Sequence, residues 1–463
     1  MFLMLTIALS VFVFSMTALA QQKFSVSLNG QQEVPARTTN GRGTCMVTLN
    51  VAQTEITVNC TYSGLSSAVV GAHIHDAGPV GVNGPIRFNF NYTGGTSGTI
   101  GPLTFPMTPA LVAELRAKRM YVNIHTSNFT GGEIRGQVKI ASTVFDLEGD
   151  GRTNISVFRF SNATFYTLDD ITNNVIANRL GSGTDADIWL NNTGDFDGDG
   201  RGDPLVLSLP GSSATNAPLF WSILQSGSNT IRTVQWGNFA TANGETLAPA
   251  DYNGDGMQDL AVYRRSTGIW YILESPNFTP RYEYFGPATT AAGNNFVSVG
   301  DYDKDGKADL TVIVNEGGQR VWYIRQSSNG QVRVVPFGST SDSFFFFAPI
   351  DVDGDGAQDI LVRRDSNGTT AGGSFIYYAL RSSDNQVFAL QWGLDTDTPF
   401  FGDYDGDGKT DFASRRTVSG QFVWYIYQSS TQTGRAVTFG QTSDQRLVEA
   451  PIIPVSSDEV SEF

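Results

Sequence analysis

Asp251-Tyr252-Asn253-Gly254-Asp255-Gly256-Met257-Gln258-Asp259 is an acidic loop, and it runs straight into the apolar stretch Leu260-Ala261-Val262-Tyr263-Arg264-Arg265. The same arrangement recurs at DLEGDGRTN from Asp146, DFDGDGRGD from Asp195, DYDKDGKAD from Asp301, DVDGDGAQD from Asp351 and DYDGDGKTD from Asp403. Their first aspartates are 49, 56, 50, 50 and 52 residues apart. Each unit continues with an aromatic strand: Phe165-Tyr166, Trp221, Trp270-Tyr271, Trp322-Tyr323, Tyr377-Tyr378 or Trp424-Tyr425. A third strand ends in Leu180, Trp236, Phe285, Phe337, Trp392 or Phe439, each followed by glycine, and a fourth run leads into the next loop. One four-stranded sheet cannot bury both faces, but sheets packed radially can, so this period predicts propeller blades.

Six units predict six four-stranded blades; seven is the alternative, with one blade assembled from both ends of the region. The run Arg446-Leu447-Val448-Glu449-Ala450-Pro451-Ile452-Ile453-Pro454-Val455 resembles the approach to a loop without the acids. It is expected to close the ring against residues near Val144.

The loop chemistry is that of a hard cation. Side-chain oxygens at positions 1, 3 and 5 converge because glycine at position 6 permits a sharp turn. A carbonyl near position 7 and an oxygen at position 9 complete the shell. No soft donor stands at positions 1, 3, 5 or 9, so Ca²⁺ is favoured over transition metals. The last acid stands at 9 rather than 12 and the flanks are strands, which excludes an EF-hand. The six loops hold 22 of the chain's 45 acids, so six bound Ca²⁺ would move the formal charge from −15 to −3. That net acidity argues against nucleic acid or an anionic membrane as partner.

These units resemble the FG-GAP/VCBS repeats of integrin-like propellers over residues 142–463. The resemblance implies about five to six Ca²⁺ ions bracing the blades. Their ligands would be Asp195, Asp197, Asp199 and Asp203; Asp251, Asn253, Asp255 and Asp259; Asp301, Asp303, Asp305 and Asp309; Asp351, Asp353, Asp355 and Asp359; and Asp403, Asp405, Asp407 and Asp411. The first loop departs from the pattern with Glu148 and Asn154 beside Asp146 and Asp150, so weaker binding is expected there. No catalytic residue is carried across. Arg201-Gly202-Asp203 spells an adhesion tripeptide, but Asp203 is position 9 of its loop and is expected to face inward.

Upstream, residues 1–20 have an apolar middle and end in Ala18-Leu19-Ala20, the pattern of a secretory signal peptide. A secreted protein with no stable membrane span after cleavage is expected. Gly-rich, aromatic-rich composition and scarce helical periodicity indicate an all-β chain. One helix is expected after the Thr108 cap and Pro109, with Leu111, Leu115 and Met120 near helical spacing. In CMVTLNVAQTEITVNC, counting outward from a turn at Val51–Thr54 places Cys45 opposite Cys60. A disulfide is then feasible, with two core thiols as the alternative.

The segments FSVSLNGQQEVP, GAHIHDAGPVGVNGPIRFNF and MYVNIHTSNFTGGEIRGQV resemble the CHRD domain, expected over residues 22–140. That resemblance implies an immunoglobulin-like or superoxide-dismutase-like β-sandwich. The only three histidines, His73, His75 and His125, lie here. His73 and His75 share a strand face, and a neighbouring His125 would complete a set suited to Cu or Zn. The alternative is three structural histidines.

Residues 142–463 contain neither His nor Cys, which excludes Ser–His and Cys–His chemistry there. The expectation is therefore a non-enzymatic, calcium-stabilised binding, adhesion or matrix protein with an extracellular protein or glycan as partner. A metal-dependent extracellular hydrolase or redox enzyme built on the histidines is the alternative.

Overall fold

A computed structural model describes residues 22–444 apart from 31, 51, 79–80, 117, 139–144, 148–150, 170–171, 182–186, 190–193, 199–200, 209–216, 240–244, 255, 288–294, 345–349 and 367–371. The expected signal peptide and the expected ring-closing run at 446–455 lie outside the described residues.

The N-terminal domain contains β1 (Gln22–Asn29), β2 (Arg42–Leu49), β3 (Glu55–Ser63), β4 (Val69–His75), β5 (Ile86–Asn89), β6 (Gly98–Pro106), α1 (Pro109–Arg116), β7 (Tyr121–Thr126) and β8 (Ile134–Gln137). Alternation in β2 and β3 turns Val47, Leu49, Ile56 and Val58 fully inward. Where a sandwich predicts two separate sheets, hydrogen bonding links all eight strands in the order β5-β4-β7-β8-β1-β2-β3-β6. The link between β8 and β1 is a single pair, Asn29↔Arg135. Two four-stranded halves therefore share one core, with Phe24, Val26 and Ile56 from one half and Ile74, Val122 and Ile124 from the other.

Cys45 and Cys60 are register partners and are bonded as a disulfide. The Thr108 hydroxyl caps α1 by accepting the Leu111 amide at 3.3 Å. The helix ends at Arg116, short of Met120, which is instead buried in the turn before β7.

Beyond residue 154, six antiparallel sheets form among the described residues. The first, over 155–179, has three strands; those over 187–239, 245–284, 295–339, 343–394 and 398–441 have four each. In the five four-stranded sheets the strand preceding the acidic loop lies at one edge and the strand following it is next, so the loop is the turn between them. The tryptophans of the aromatic strand are packing residues. Trp221, Trp270, Trp322 and Trp424 are almost wholly buried. Their indoles donate to the carbonyls of Trp236, Phe285, Phe337 and Phe439, which satisfies the one polar atom each buries.

Neighbouring sheets are joined through the loops. The eighth residue of each loop donates its amide to the first residue's carbonyl in the loop before it. Gly202 bonds Asp146, Gln258 bonds Asp195, Ala308 bonds Asp251, Gln358 bonds Asp301 and Thr410 bonds Asp351, all at 2.6–2.7 Å. Thr153 of the first loop donates to Asp403 of the sixth at 2.7 Å, and the circuit closes. These are propeller-like blades.

A second set of ties uses buried acids that the loop motif does not include. Asp342 accepts the Ser339 amide of the fourth sheet and two bonds from Arg364 of the fifth, at 2.7 and 2.8 Å. Asp397 does the same between Leu394 and Arg416. Asp444 accepts the Gln441 amide of the sixth sheet and the Arg159 guanidinium of the first. Burial alone would raise the Asp342 carboxyl, but the Arg364 bonds, the Ser339 amide and the Arg320 charge together hold it below the usual range.

The Asp444–Arg159 tie spans 285 residues and seals the seam. Asp444→Ala should cost about 1–3 kcal/mol, a buried-pair value discounted for the partly exposed arginine. The test is chemical denaturation of Asp444→Ala, Arg159→Ala and the double variant. Equal, additive losses from the two single changes would show that the pair is not coupled.

Candidate functional site

Three acidic loops are described in full, those from Asp301, Asp351 and Asp403. Glu148, Asp150, Asp199 and Asp255 fall outside the described residues. The glycines at position 6 carry the required left-handed backbone, with φ of 86, 91, 89, 87 and 82° at Gly151, Gly256, Gly306, Gly356 and Gly408. Position 4 is also left-handed, and there Lys304 replaces glycine at φ 63°.

Position 1 organises the loop. The Asp351 carboxylate accepts the amides of Gly354 and Gly356 at 2.6 and 2.7 Å, and Asp403 accepts those of Gly406 and Gly408. Position 9 clamps it. Asp203, Asp259, Asp309, Asp359 and Asp411 are at most 1 % exposed. One oxygen of each accepts the amide of position 2, and the other accepts the amide of a serine in a later turn: Ser226, Ser275, Ser327, Ser382 or Ser429. The position-9 acids are thus hydrogen-bond clamps as well as candidate ligands, a role that the motif's spacing does not reveal.

Serine hydroxyls hold the remaining acids. Ser327 and Ser328 reach Asp305 and Asp303; Ser382 and Ser383 reach Asp355 and Asp353; Ser429 and Ser430 reach Asp407 and Asp405. The acid motif does not reveal these serine pairs, although Ser-Ser recurs 18 residues after Asp309 and after Asp411.

Carboxylate oxygens lie within 4.8 Å of one another in the sets Asp195/Asp197/Asp203, Asp301/Asp303/Asp309, Asp351/Asp353/Asp355 and Asp403/Asp405/Asp411. Burial, reinforced by neighbouring carboxylates, pushes Asp203 and Asp351 up to about 8 and Asp309 up to about 7. Asp301, Asp403 and Asp411 are raised well above their ordinary value for the same reasons. Desolvated carboxylates this crowded match the donor set of a hard divalent cation. In the first loop Asn154 accepts the Leu147 amide at 2.9 Å as the aspartates do, but its side chain has only one acceptor oxygen. Asp203 is buried with both oxygens engaged, so the RGD carboxylate faces its loop and not a partner.

The three histidines meet on one sheet face. Pairing sets His73 opposite Asn123 and Gly71 opposite His125, and the ring centroids lie 4.9–6.3 Å apart. His75 stacks on Tyr121 at 4.5 Å, with the Arg135 guanidinium 3.5 Å from the same tyrosine ring. Burial lowers all three imidazoles below their ordinary range; repulsion from the other two takes His73 to about 4. Two nearby acids are otherwise committed. Glu133 is fully buried and accepts bonds from Thr39, Thr126 and both donors of Ser66. Asp76 is paired with Arg87 at 2.7 Å.

A shallow cleft lies between the second and third sheets. Trp236, Asn238, Val262, Arg264, Tyr271 and Tyr282 line it. Trp236 faces Tyr282 with centroids 6.4 Å apart, and Tyr282 is 60 % exposed.

Residues 24–138 match the CHRD domain, and residues 251–312 and 301–362 match the FG-GAP-like repeat. The chain thus contains a CHRD domain followed by FG-GAP-like repeats. No curated protein matches the sequence. Among solved structures, TolB from Acinetobacter baumannii is similar at 11 % identity and TM-score 0.40, over 70 % of this chain and 77 % of that one. An Agrocybe aegerita lectin that recognises non-reducing terminal N-acetylglucosamine aligns at 14 % identity and TM-score 0.40, over 70 % of this chain and 88 % of the lectin. A putative 6-phosphogluconolactonase from Bacteroides uniformis aligns at 12 % identity and TM-score 0.34, over 62 % and 83 %. Similarities of this size carry nothing about ligand or activity.

Proposed function

We propose that this is a secreted, non-enzymatic binding protein in which a calcium-braced, six-bladed β-propeller presents a glycan-binding cleft. The six-loop hydrogen-bond circuit supports six blades over seven. The disulfide between Cys45 and Cys60 fits an exported protein. The cleft between the second and third sheets carries the functional part of the proposal. A half-open aromatic wall from Trp236, Tyr271 and Tyr282 suits the apolar face of a sugar ring; Asn238 also lines the cleft, and the Arg264 guanidinium there is held by Glu245 and the Tyr271 hydroxyl. Calcium acts on this surface indirectly, by holding the two sheets at a fixed spacing.

A glycan array probed with the full-length protein tests the proposal. Binding is expected in Ca²⁺ and should fall at least tenfold in Tyr282→Ala, whose ring is exposed and whose loss leaves the core intact. Binding that is unchanged in Tyr282→Ala and Trp236→Ala would remove the cleft from consideration.

A further inference from the structure

The face of β4 and β7 that carries the histidines is polar and largely enclosed, whereas the opposite face, with Ala72, Ile74, Val122 and Ile124, belongs to the hydrophobic core. Buried polar atoms without a partner here include Asn123 Oδ1, opposite His73, and a concentrated set of histidine ring nitrogens. His75 Nδ1 lies 3.0 Å from the Gly84 carbonyl and His125 Nδ1 lies 2.9 Å from the Thr130 carbonyl. A carbonyl can only accept, so both Nδ1 atoms carry the proton and both Nε2 atoms present lone pairs. Those two Nε2 atoms are buried with no partner, and so is Nδ1 of His73. His75 itself is only 8 % exposed.

An unsatisfied buried polar atom costs about 1–3 kcal/mol, and structural histidines ordinarily satisfy both ring nitrogens. Three such atoms on three adjacent rings point to one shared partner. One nitrogen from each ring lies within 4.8 Å of the others. Three donors bound to one ion at about 2.05 Å with tetrahedral angles would be about 3.3 Å apart, so modest ring adjustment closes the set. Gly71 makes room for it: a Cβ there would stand 3.1 Å from His73 Cε1.

We propose that His73, His75 and His125 form a mononuclear site for a borderline divalent transition ion, Cu(II) or Zn(II), bound through three imidazole nitrogens. The donor set is all nitrogen: no carboxylate joins the three imidazoles among the described residues, Glu133 is saturated by hydroxyl and amide donors, and Arg87 holds Oδ2 of Asp76. That separates it from the all-oxygen loops of the repeats. The two carbonyls act as the outer shell, fixing tautomer and ring orientation. His73 and His125 are only half-buried, so an exogenous ligand can reach the ion from their side.

The test uses tag-free full-length protein, dialysed and then held in excess Ca²⁺ so that the acidic loops are occupied. Titration with Zn(II) or Cu(II) should give one equivalent, and the Cu(II) protein should show electron-paramagnetic-resonance splitting from three nitrogens. His125→Gln should weaken Zn(II) binding by about 100-fold or more, since losing an outer-shell partner alone costs about 10–100-fold and His125 is a direct ligand. The wild-type spectrum does not depend on whether a variant folds. Absence of a stoichiometric equivalent, fewer than three coupled nitrogens, or unchanged affinity in His125→Gln would overturn the site.

Discussion

Chelation with EDTA should lower the melting temperature of the repeat region by tens of degrees or leave it unfolded at ambient temperature. Extracellular calcium modules bind at about 10⁻⁴–10⁻³ M, so ten- to hundredfold excess of ion contributes about 1.4–2.7 kcal/mol per site. Several sites acting together rival the whole stability of a domain, about 5–15 kcal/mol. The loops also lie on the circuit that joins neighbouring sheets, so unsettling one loop loosens two blades.

The pH dependence has a definite sign. Without metal, the folded-state carboxyls of Asp203, Asp309, Asp351 and Asp359 sit at about 8, 7, 8 and 6, above their unfolded value. The folded state therefore holds protons that the unfolded chain releases. That contribution is fully present below about pH 4 and is lost as pH rises through the folded values. In EDTA, stability should fall between about pH 5 and 8. In saturating Ca²⁺ the ion replaces the protons and the decline should flatten or reverse. Calorimetry across that range decides it; parallel profiles with and without calcium would show that the loops hold no ion.

Asp411→Ala should be the most damaging single substitution in the sixth repeat, at about 3–5 kcal/mol. Its carboxylate is fully buried and accepts the Tyr404, Asp405 and Ser429 amides at 2.9, 3.1 and 2.7 Å. Alanine would leave all three donors without an acceptor, each at about 1–3 kcal/mol, in addition to removing a candidate ligand. Asp405→Asn offers a contrast within the same loop. Asp405 repels Asp403, Asp407 and Asp411, so neutralising it should leave the EDTA form unchanged or firmer while weakening the calcium-loaded form. Asp411→Ala should be destabilising in both conditions. If the two variants respond alike to EDTA, positions 3 and 9 do not have the separate roles assigned to them here.

The acidic loops, their period and the four-stranded unit were legible because each is local. Nine consecutive residues determine where a backbone turns and which oxygens converge, and glycine at position 6 is required by the turn itself. The disulfide was legible for the same reason, since a short hairpin determines its own register. The serine pairs that hold positions 3 and 5 were not, because they stand more than 20 residues away on another turn. The aspartates at Gly+4, as in Gly338…Asp342 and Gly440…Asp444, were periodic and could have been found. Their partners could not, since each arginine lies on the next sheet.

Local pattern alone therefore specifies an all-β chain of two parts, one of them repetitive and rich in hard-cation loops. The closed circuit of the repeats, and the clamping role of the candidate ligand at position 9, emerge from long-range contacts. The same holds for the histidines: alternation put His73 and His75 on one face, but it took the pairing of β4 with β7 to bring His125 beside them. Contacts within a turn follow from local backbone geometry; contacts between strands far apart in the chain exist only once loop closure and burial have chosen a register.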